Sequence, residues 1–219
     1  MTQLKTCPDL FTVLSDGARF LRIPVQKPAF SKMIAYIDLL ISWNKKVNLT
    51  SITDPRRIAV VHFLDSLTLF KVWEDTAGKK LLDIGSGAGF PGLVLKIADD
   101  SIKLTLLDKS SKRMVFMKNV AKELGLSDIC FANRTTEDYF SSQTNHLFDV
   151  VTFRALPKGS LHSLDPNRFL LSRGSLIRMY SEAPASLESE FLLLNECRRW
   201  EGFLPYLNLK RTVIRYSLP

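Results

Sequence analysis

The chain of 219 residues has little of what builds redox, metal or membrane sites. Its three cysteines, Cys7, Cys130 and Cys197, are odd in number, far apart and without a C-x-x-C pair. That spacing argues against a disulfide framework and a zinc site, so no metal is expected and a reducing cytoplasm fits. The first residues, Met-Thr-Gln-Leu-Lys-Thr-Cys-Pro, lack an apolar signal-like run, and the most apolar later stretch is interrupted by Asp38. Neither secretion nor a membrane span is therefore expected. Internal repeats, low-complexity tracts and long linkers are missing too, which leaves one substantial domain with an appended element. With 46% hydrophobic residues the chain can fill a packed core, and disorder is not expected. Acids are scarcer than bases: 22 Asp and Glu against 30 Lys and Arg give a formal charge of +8. Such a balance points toward a polyanion such as RNA, although charge also serves solubility.

The chain is organised around Lys80-Leu-Leu-Asp-Ile-Gly-Ser-Gly-Ala-Gly-Phe-Pro-Gly92. Leu81, Leu82 and Ile84 suit a strand buried on both faces, whose carboxyl end opens at the ligand crevice of a parallel sheet. Gly85, Gly87 and Gly89 then supply a turn that a ligand can approach closely, and Pro91 suits the first turn of a helix. Gly87, Gly89 and Gly92 also satisfy G-x-G-x-x-G, with Asp108 about 20 residues on, as a dinucleotide site requires. Asp83 favours a different cofactor. A carboxylate beside the loop suits the sulfonium and amino group of S-adenosylmethionine (SAM) better than a pyrophosphate. SAM is the preferred reading and NAD the alternative.

Around this centre the periodicity predicts a helix from Pro28 to about Trp43, with Phe30, Met33, Ile34, Ile37, Leu40 and Ile41 on its buried stripe. Asp54-Pro55 begins a second helix with Ile58, Val61, Leu64, Leu67 and Phe70 buried, on which His62 and Asp65 lie three apart and within reach of one another. Strands are predicted at 80–84, 103–107, 128–132, 148–153 and 174–180, with a helix through Ala98 and another ended by Gly125. A helix over 186–200 and a terminal strand pair, 204–209 with 211–216, complete the chain. The expected fold is therefore α/β: a doubly wound, mostly parallel sheet with a terminal antiparallel strand. Residues 1–75 form a helical extension packed on the sheet domain of 76–219.

Candidate contacts follow from position. Asn44 and Asn48 stand among apolar residues in Trp43-Asn-Lys-Lys-Val-Asn-Leu-Thr50, either as a self-satisfied loop or as a contact to substrate or cofactor. Asp108 ends the second strand and can accept from both ribose hydroxyls, or alternatively cap a helix. Lys112 and Arg113 begin a helix against the dipole preference, as phosphate binders would. Thr135-Thr-Glu-Asp138 lies where an adenine would be faced, and Arg154 ends the fourth strand in the crevice.

With these residues quoted, the chain resembles the RsmG family, also called GidB, bacterial methyltransferases acting on N7 of one guanine, guanine-527, in 16S rRNA. The resemblance rests on Trp43-Asn44 with Asn48-Leu-Thr50, His62-Phe-Leu-Asp-Ser66, Asp83 to Gly92, Leu107-Asp108 with Lys112-Arg113, and Arg154-Ala155. It implies a Rossmann-like SAM-dependent methyltransferase fold with a helical N-terminal extension. It also implies cofactor contacts by Gly85, Phe90, Asp108, Thr136, Glu137 and Arg154, to which the loop itself adds Asp83, Gly87 and Gly89. The implied partner is 16S rRNA or the small ribosomal subunit, and a monomer is expected. Departures fall on the substrate side: Val61 replaces an Arg of the family, Phe153 a Ser, and Tyr180-Ser181 a Lys-Gly. Guanine N7 carries a lone pair and no proton, so methyl transfer needs positioning rather than a general base, and no catalytic residue is assigned. A small-molecule methyltransferase, a NAD-type oxidoreductase and a non-enzymatic RNA-binding protein are the competing readings.

Overall fold

The computed structural model describes residues 9–141, 147–154, 166–181 and 194–218. Seven strands form one sheet in the order β3-β2-β1-β4-β5-β7-β6. They are β1 Lys80–Ile84, β2 Lys103–Leu107, β3 Ile129–Ala132, β4 Phe148–Phe153, β5 Leu170–Tyr180, β6 Asn195–Leu204 and β7 Leu209–Ser217. The first five run parallel, and β7 and β6 are antiparallel additions. Strand order reverses between β1 and β4, so the crevice of a doubly wound sheet opens at their carboxyl ends.

Helices α1 Leu10–Phe20 and α2 Lys27–Val47 precede the sheet. A composite helix follows: α3 Pro55–Ile58, a π-helical stretch Ala59–Leu64, α4 Asp65–Leu67 and a 3-10 turn Thr68–Lys71. Asp54 caps it through the Arg57 N–H at 2.7 Å, with Pro55 at the first helical position, as the Asp-Pro pair predicts. Between strands lie α5 Gly92–Ala98, α6 Ser111–Glu123 and α7 Thr136–Ser141. None of the described helices is long and apolar enough to cross a membrane.

Alternation along the strands divides the core in two. Leu81, Leu104 and Leu106 face a large cluster in which α1, α2, the composite helix, α5 and α6 meet, while Leu82, Ile84, Leu107, Val151 and Phe153 face a smaller one under α7. The N-terminal helices thus share a core with the sheet, and Tyr36, Phe63 and Phe90 interlock at that boundary with ring centroids 5.2–5.4 Å apart.

Three expectations need correction. Helix α2 runs past Trp43 to Val47, where Asn48 at φ 50° ends it in the left-handed conformation. Residues 195–200, expected to be helical, lie on edge strand β6, while the earlier part of that expected helix lies outside the described residues. Pairing with β7 overrides the helix propensity of Asn195-Glu-Cys-Arg-Arg-Trp200, and ion pairs of Arg199 with Glu196 and Glu201 at 2.7 and 3.2 Å line the exposed edge. The terminal strand pair is consequently β6 with β7. Residues 205–208, expected on a strand, form the hairpin turn instead, with positive φ at Tyr206 and Asn208.

Candidate functional site

The loop after β1 is built to keep the backbone bare. Gly87, at φ 61°, has only the Gly85 carbonyl oxygen, at 3.8 Å, near the position of a Cβ, so its face is open. Gly89, at φ 91°, is crowded by its own chain: a Cβ there would overlap the Tyr36 hydroxyl and the Leu93 side chain. The Tyr36 hydroxyl donates to the Ala88 carbonyl and pins the loop to α2. Pro91 stands one residue before α5 rather than within it.

Asp83 lies on the same pleat face as Leu81, so its carboxylate points into the helical layer. It is fully buried and accepts from the Gly92 N–H at 2.9 Å, leaving Oδ1 without a hydrogen-bond partner among the described residues. Burial, reinforced by the Asp108 carboxylate, pushes its pKa up to about 7, against the pull of the Gly92 bond and of Arg154. Structurally it seats the glycine loop on α5.

A raised acid pKa favours the protonated fold. The stability Asp83 contributes is full below its unfolded value near 3.8 and is lost as pH rises through about 7. Asp83→Asn should therefore be relatively more stable than the parent at pH 8 than at pH 5. Urea midpoints of both proteins at the two pH values check this; a difference independent of pH contradicts it.

Asp108 ends β2 and is buried, accepting from the Gly87 N–H through Oδ2 and the Ser110 N–H through Oδ1, both at 2.8 Å. It therefore joins the bare glycine to the start of α6, whose N-cap is Ser110 rather than Asp108 itself. Lys112 and Arg113 are both exposed, and Arg113 lies 3.7 Å from Asp108 Oδ2, so this cation faces the carboxylate. Asn133, which no sequence motif marks, donates to the Asp108 carbonyl at 2.9 Å and accepts from the Ser111 hydroxyl at 2.8 Å. Thr136 and Glu137 open α7 at the carboxyl end of β3, behind Thr135, whose hydroxyl accepts from the Asp138 N–H at 3.1 Å.

Across the switch point, Arg154 follows β4 and is tied to the N-terminal helices. Its Nη2 lies 3.1 Å from His62 Nδ1, and its Nη1 lies 3.6 Å from Asp65 Oδ2. Burial, then the Arg154 charge, lowers the His62 pKa to about 4, so at neutral pH Nδ1 accepts from the guanidinium. His62 Nε2 is then the donor to Thr50 Oγ1, 3.0 Å away. Its ring also stacks on Phe90, with centroids 4.8 Å apart. Asp65 accepts instead from Arg211 Nε at 2.9 Å; burial raises its pKa, and Arg154 and Arg211 oppose that rise.

His62 and Asp65 are thus not paired with each other, contrary to the three-residue spacing. The cause is the π-helical stretch through His62, whose wider turn carries residues three apart onto different faces. Asn44 takes the self-satisfied alternative: its amide donates to the Thr50 carbonyl and accepts from the Thr50 N–H, at 2.8 and 2.9 Å. Asn48 is exposed at the helix end.

The residues brought together are therefore Asp83, Gly85, Gly87, Gly89, Phe90 and Asp108 at one side of the switch point and Arg154 at the other, with Thr136 and Glu137 beyond β2. The linkers Tyr36, Asn133 and Arg211 carried no local motif that marked them, whereas Thr50 closes the Asn48-Leu-Thr50 motif, which does not state its contact with His62.

Comparison with known proteins gives the family and the fold. A GidB family model, described as rRNA small subunit methyltransferase G, matches residues 29–186. Ribosomal RNA small subunit methyltransferase G of Desulforamulus reducens is 41% identical over 155 residues, covering 68% of this chain and 63% of that protein. The protein of that name from Alkaliphilus metalliredigens is 37% identical over 145 residues, covering 66% and 61%. The matches thus span less than two thirds of these curated relatives. Among solved structures, ribosomal protein L11 methylase from Lactobacillus delbrueckii subsp. bulgaricus aligns with a TM-score of 0.53 at 15% identity, covering 71% of this chain and 77% of that one. An MtNAS structure in complex with S-adenosylmethionine aligns with a TM-score of 0.58 at 13% identity, covering 94% and 84%. At such identities the likeness speaks for the fold, a Rossmann-like α/β fold shared with methyltransferases.

Proposed function

Because the chain belongs to the rRNA small subunit methyltransferase G (GidB) family, we propose that it transfers a methyl group from SAM to N7 of a single guanine, guanine-527, in 16S rRNA. The observation that carries the cofactor part is Asp108, whose carboxylate is held by the Gly87 and Ser110 N–H groups beside an open glycine face. Each carboxylate oxygen keeps a further lone-pair direction for a ribose hydroxyl. The bare backbone at Gly87 admits the nucleoside, and two buried groups that make no hydrogen bond among the described residues, Asp83 Oδ1 and Arg154 Nη1, the latter 3.6 Å from Asp65, suit a ligand with both cationic and anionic ends. These residues fit SAM.

When bound, SAM supplies an electrophilic methyl on a sulfonium. The protein's part is to align the guanine with it, since N7 attacks through a lone pair and loses no proton. Gly85, Gly87, Asp108, Thr136 and Glu137 hold the nucleoside side in this account. Arg154, oriented by His62 and Asp65, faces the amino-acid end or the incoming base. Lys112 stands where a phosphate of the RNA could be met. The account has the chain acting as a monomer in the cytoplasm on the RNA of the small ribosomal subunit.

Asp108→Ala tests the cofactor assignment. Removing a charged acceptor costs about 1.5–3 kcal/mol per hydrogen bond, so SAM affinity should fall roughly tenfold or more. Isothermal calorimetry giving the parent affinity in that variant would sink the assignment.

A further inference from the structure

The 48–58 segment forms a second concavity beside the crevice. A pocket of about 450 Å³ is lined by α2 and this segment, with Ile41, Ile52 and Ile58 among its apolar residues and Asn44, Thr50 and Ser51 among its polar ones. Pockets that hold small ligands run from roughly 300 to 1,000 Å³ and combine an apolar surface with a few placed polar groups. The wall is set before any ligand arrives: Asn44 clips both backbone groups of Thr50, and the Thr50 hydroxyl accepts from the Ile52 N–H at 3.1 Å. At the far end Asp54 caps the next helix, which uses the segment's one acid. Lys45 lines the pocket, and Lys46 and Arg57 are exposed nearby, so the surroundings are basic.

Thr50 lines this pocket and links it to the switch point. Its hydroxyl meets His62, and the other nitrogen of that ring meets Arg154. One imidazole ring and two hydrogen bonds therefore separate this pocket from the switch point, a gap short enough for neighbouring nucleotides of one strand.

We propose that this pocket binds an unpaired nucleotide of the RNA next to the target guanine, its base on the isoleucines and its phosphate at Lys45. The inference rests on the RNA reading above. An unpaired base presents flat apolar faces and a hydrogen-bonding edge, which this lining matches, and a cation at the rim fixes the backbone. A duplex cannot place a base in such a concavity without unpairing it. The target is thereby selected as a single-stranded loop, gripped at two successive positions.

The test uses the full chain and two exposed positions, with Lys45→Ala removing the cation and Ser51→Glu placing a carboxylate at the rim. Lys103→Ala, at the amino end of β2, is the control for loss of one charge. Fluorescence anisotropy of a fluorescein-labelled single-stranded oligoribonucleotide is followed from low to moderate salt, with SAM calorimetry and thermal melting alongside. Expected are a roughly tenfold loss of RNA affinity in Ser51→Glu and a threefold loss in Lys45→Ala. In Lys45→Ala the slope of log affinity against log salt should also fall by about 0.7, one phosphate contact. SAM affinity and melting should stay at parent values. RNA affinities in both variants equal to that of Lys103→Ala overturn the pocket. Methyl transfer by the parent chain to small-subunit RNA is read separately. A parent that transfers nothing defeats the proposed function, while the binding comparison still decides the pocket.

Discussion

Gly89→Ala is expected to lower the thermal midpoint by about 4–24 °C, at roughly 2–4 °C per kcal/mol for a chain of this size. Two effects add. A side chain at φ 91° strains the backbone by about 1–3 kcal/mol, and forcing a methyl into a filled site costs about 1–3 kcal/mol more. The obstructing atoms belong to Tyr36 and Leu93, that is, to α2 and α5, so the loss comes from the seam between the N-terminal helices and the glycine loop. This predicts a specific coupling. Tyr36→Phe alone loses the bond to the Ala88 carbonyl, worth about 1 kcal/mol, yet in the Gly89→Ala background it removes one obstruction. A double-mutant cycle by chemical denaturation should therefore show the pair less destabilised than the sum of the single changes. Strict additivity would mean that the hydroxyl is not what forbids a side chain at this position.

Removal of residues 1–75 should have a still broader effect. The large core cluster contains Met33, Tyr36, Ile37 and Leu40 of α2 together with Phe90, Leu93, Val94 and Phe116 of the sheet domain. Uncovering those four large apolar side chains, at about 1.5–3 kcal/mol each, amounts to about 6–12 kcal/mol. That equals the whole stability of an ordinary domain, about 5–15 kcal/mol. The truncated chain should aggregate on expression and show no cooperative melt. A soluble 76–219 fragment with a cooperative transition and SAM affinity intact would show that the two parts fold independently.

Much of this site is legible in the residues because its signals are local. Asp83 to Gly92 announces a strand, a bare turn and a helix within thirteen positions of Lys80, and Asp108 falls at the end of the next apolar strand. The stripe from Phe30 to Ile41 likewise marks a buried helix. What sequence could not give is set by distant partners. The pair His62 and Asp65 looks helical and adjacent, but a π-helical stretch and the far cations Arg154 and Arg211 divide them. Residues 195–200 have the composition of a surface helix and become an edge strand only because β7 offers a pairing partner. Asn44 and Asn48 stand in one motif, yet Asn44 serves Thr50 internally whereas Asn48 ends α2. The orientation of Asp83 into the helical layer depends on strand phase and on where α5 begins, neither of which its motif states.

Methylation of one guanine N7 of 16S rRNA is the proposed activity of this chain. Its most direct test is mass spectrometry of nuclease-digested 16S rRNA from a strain lacking the gene and from the same strain carrying the parent gene or its Asp108→Ala variant. The account predicts that N7-methylguanosine disappears from a single 16S fragment, the one containing guanine-527, returns with the parent gene and stays depleted with the variant. An unchanged N7-methylguanosine content in the deletion strain would contradict it and leave a small-molecule methyltransferase as the better reading.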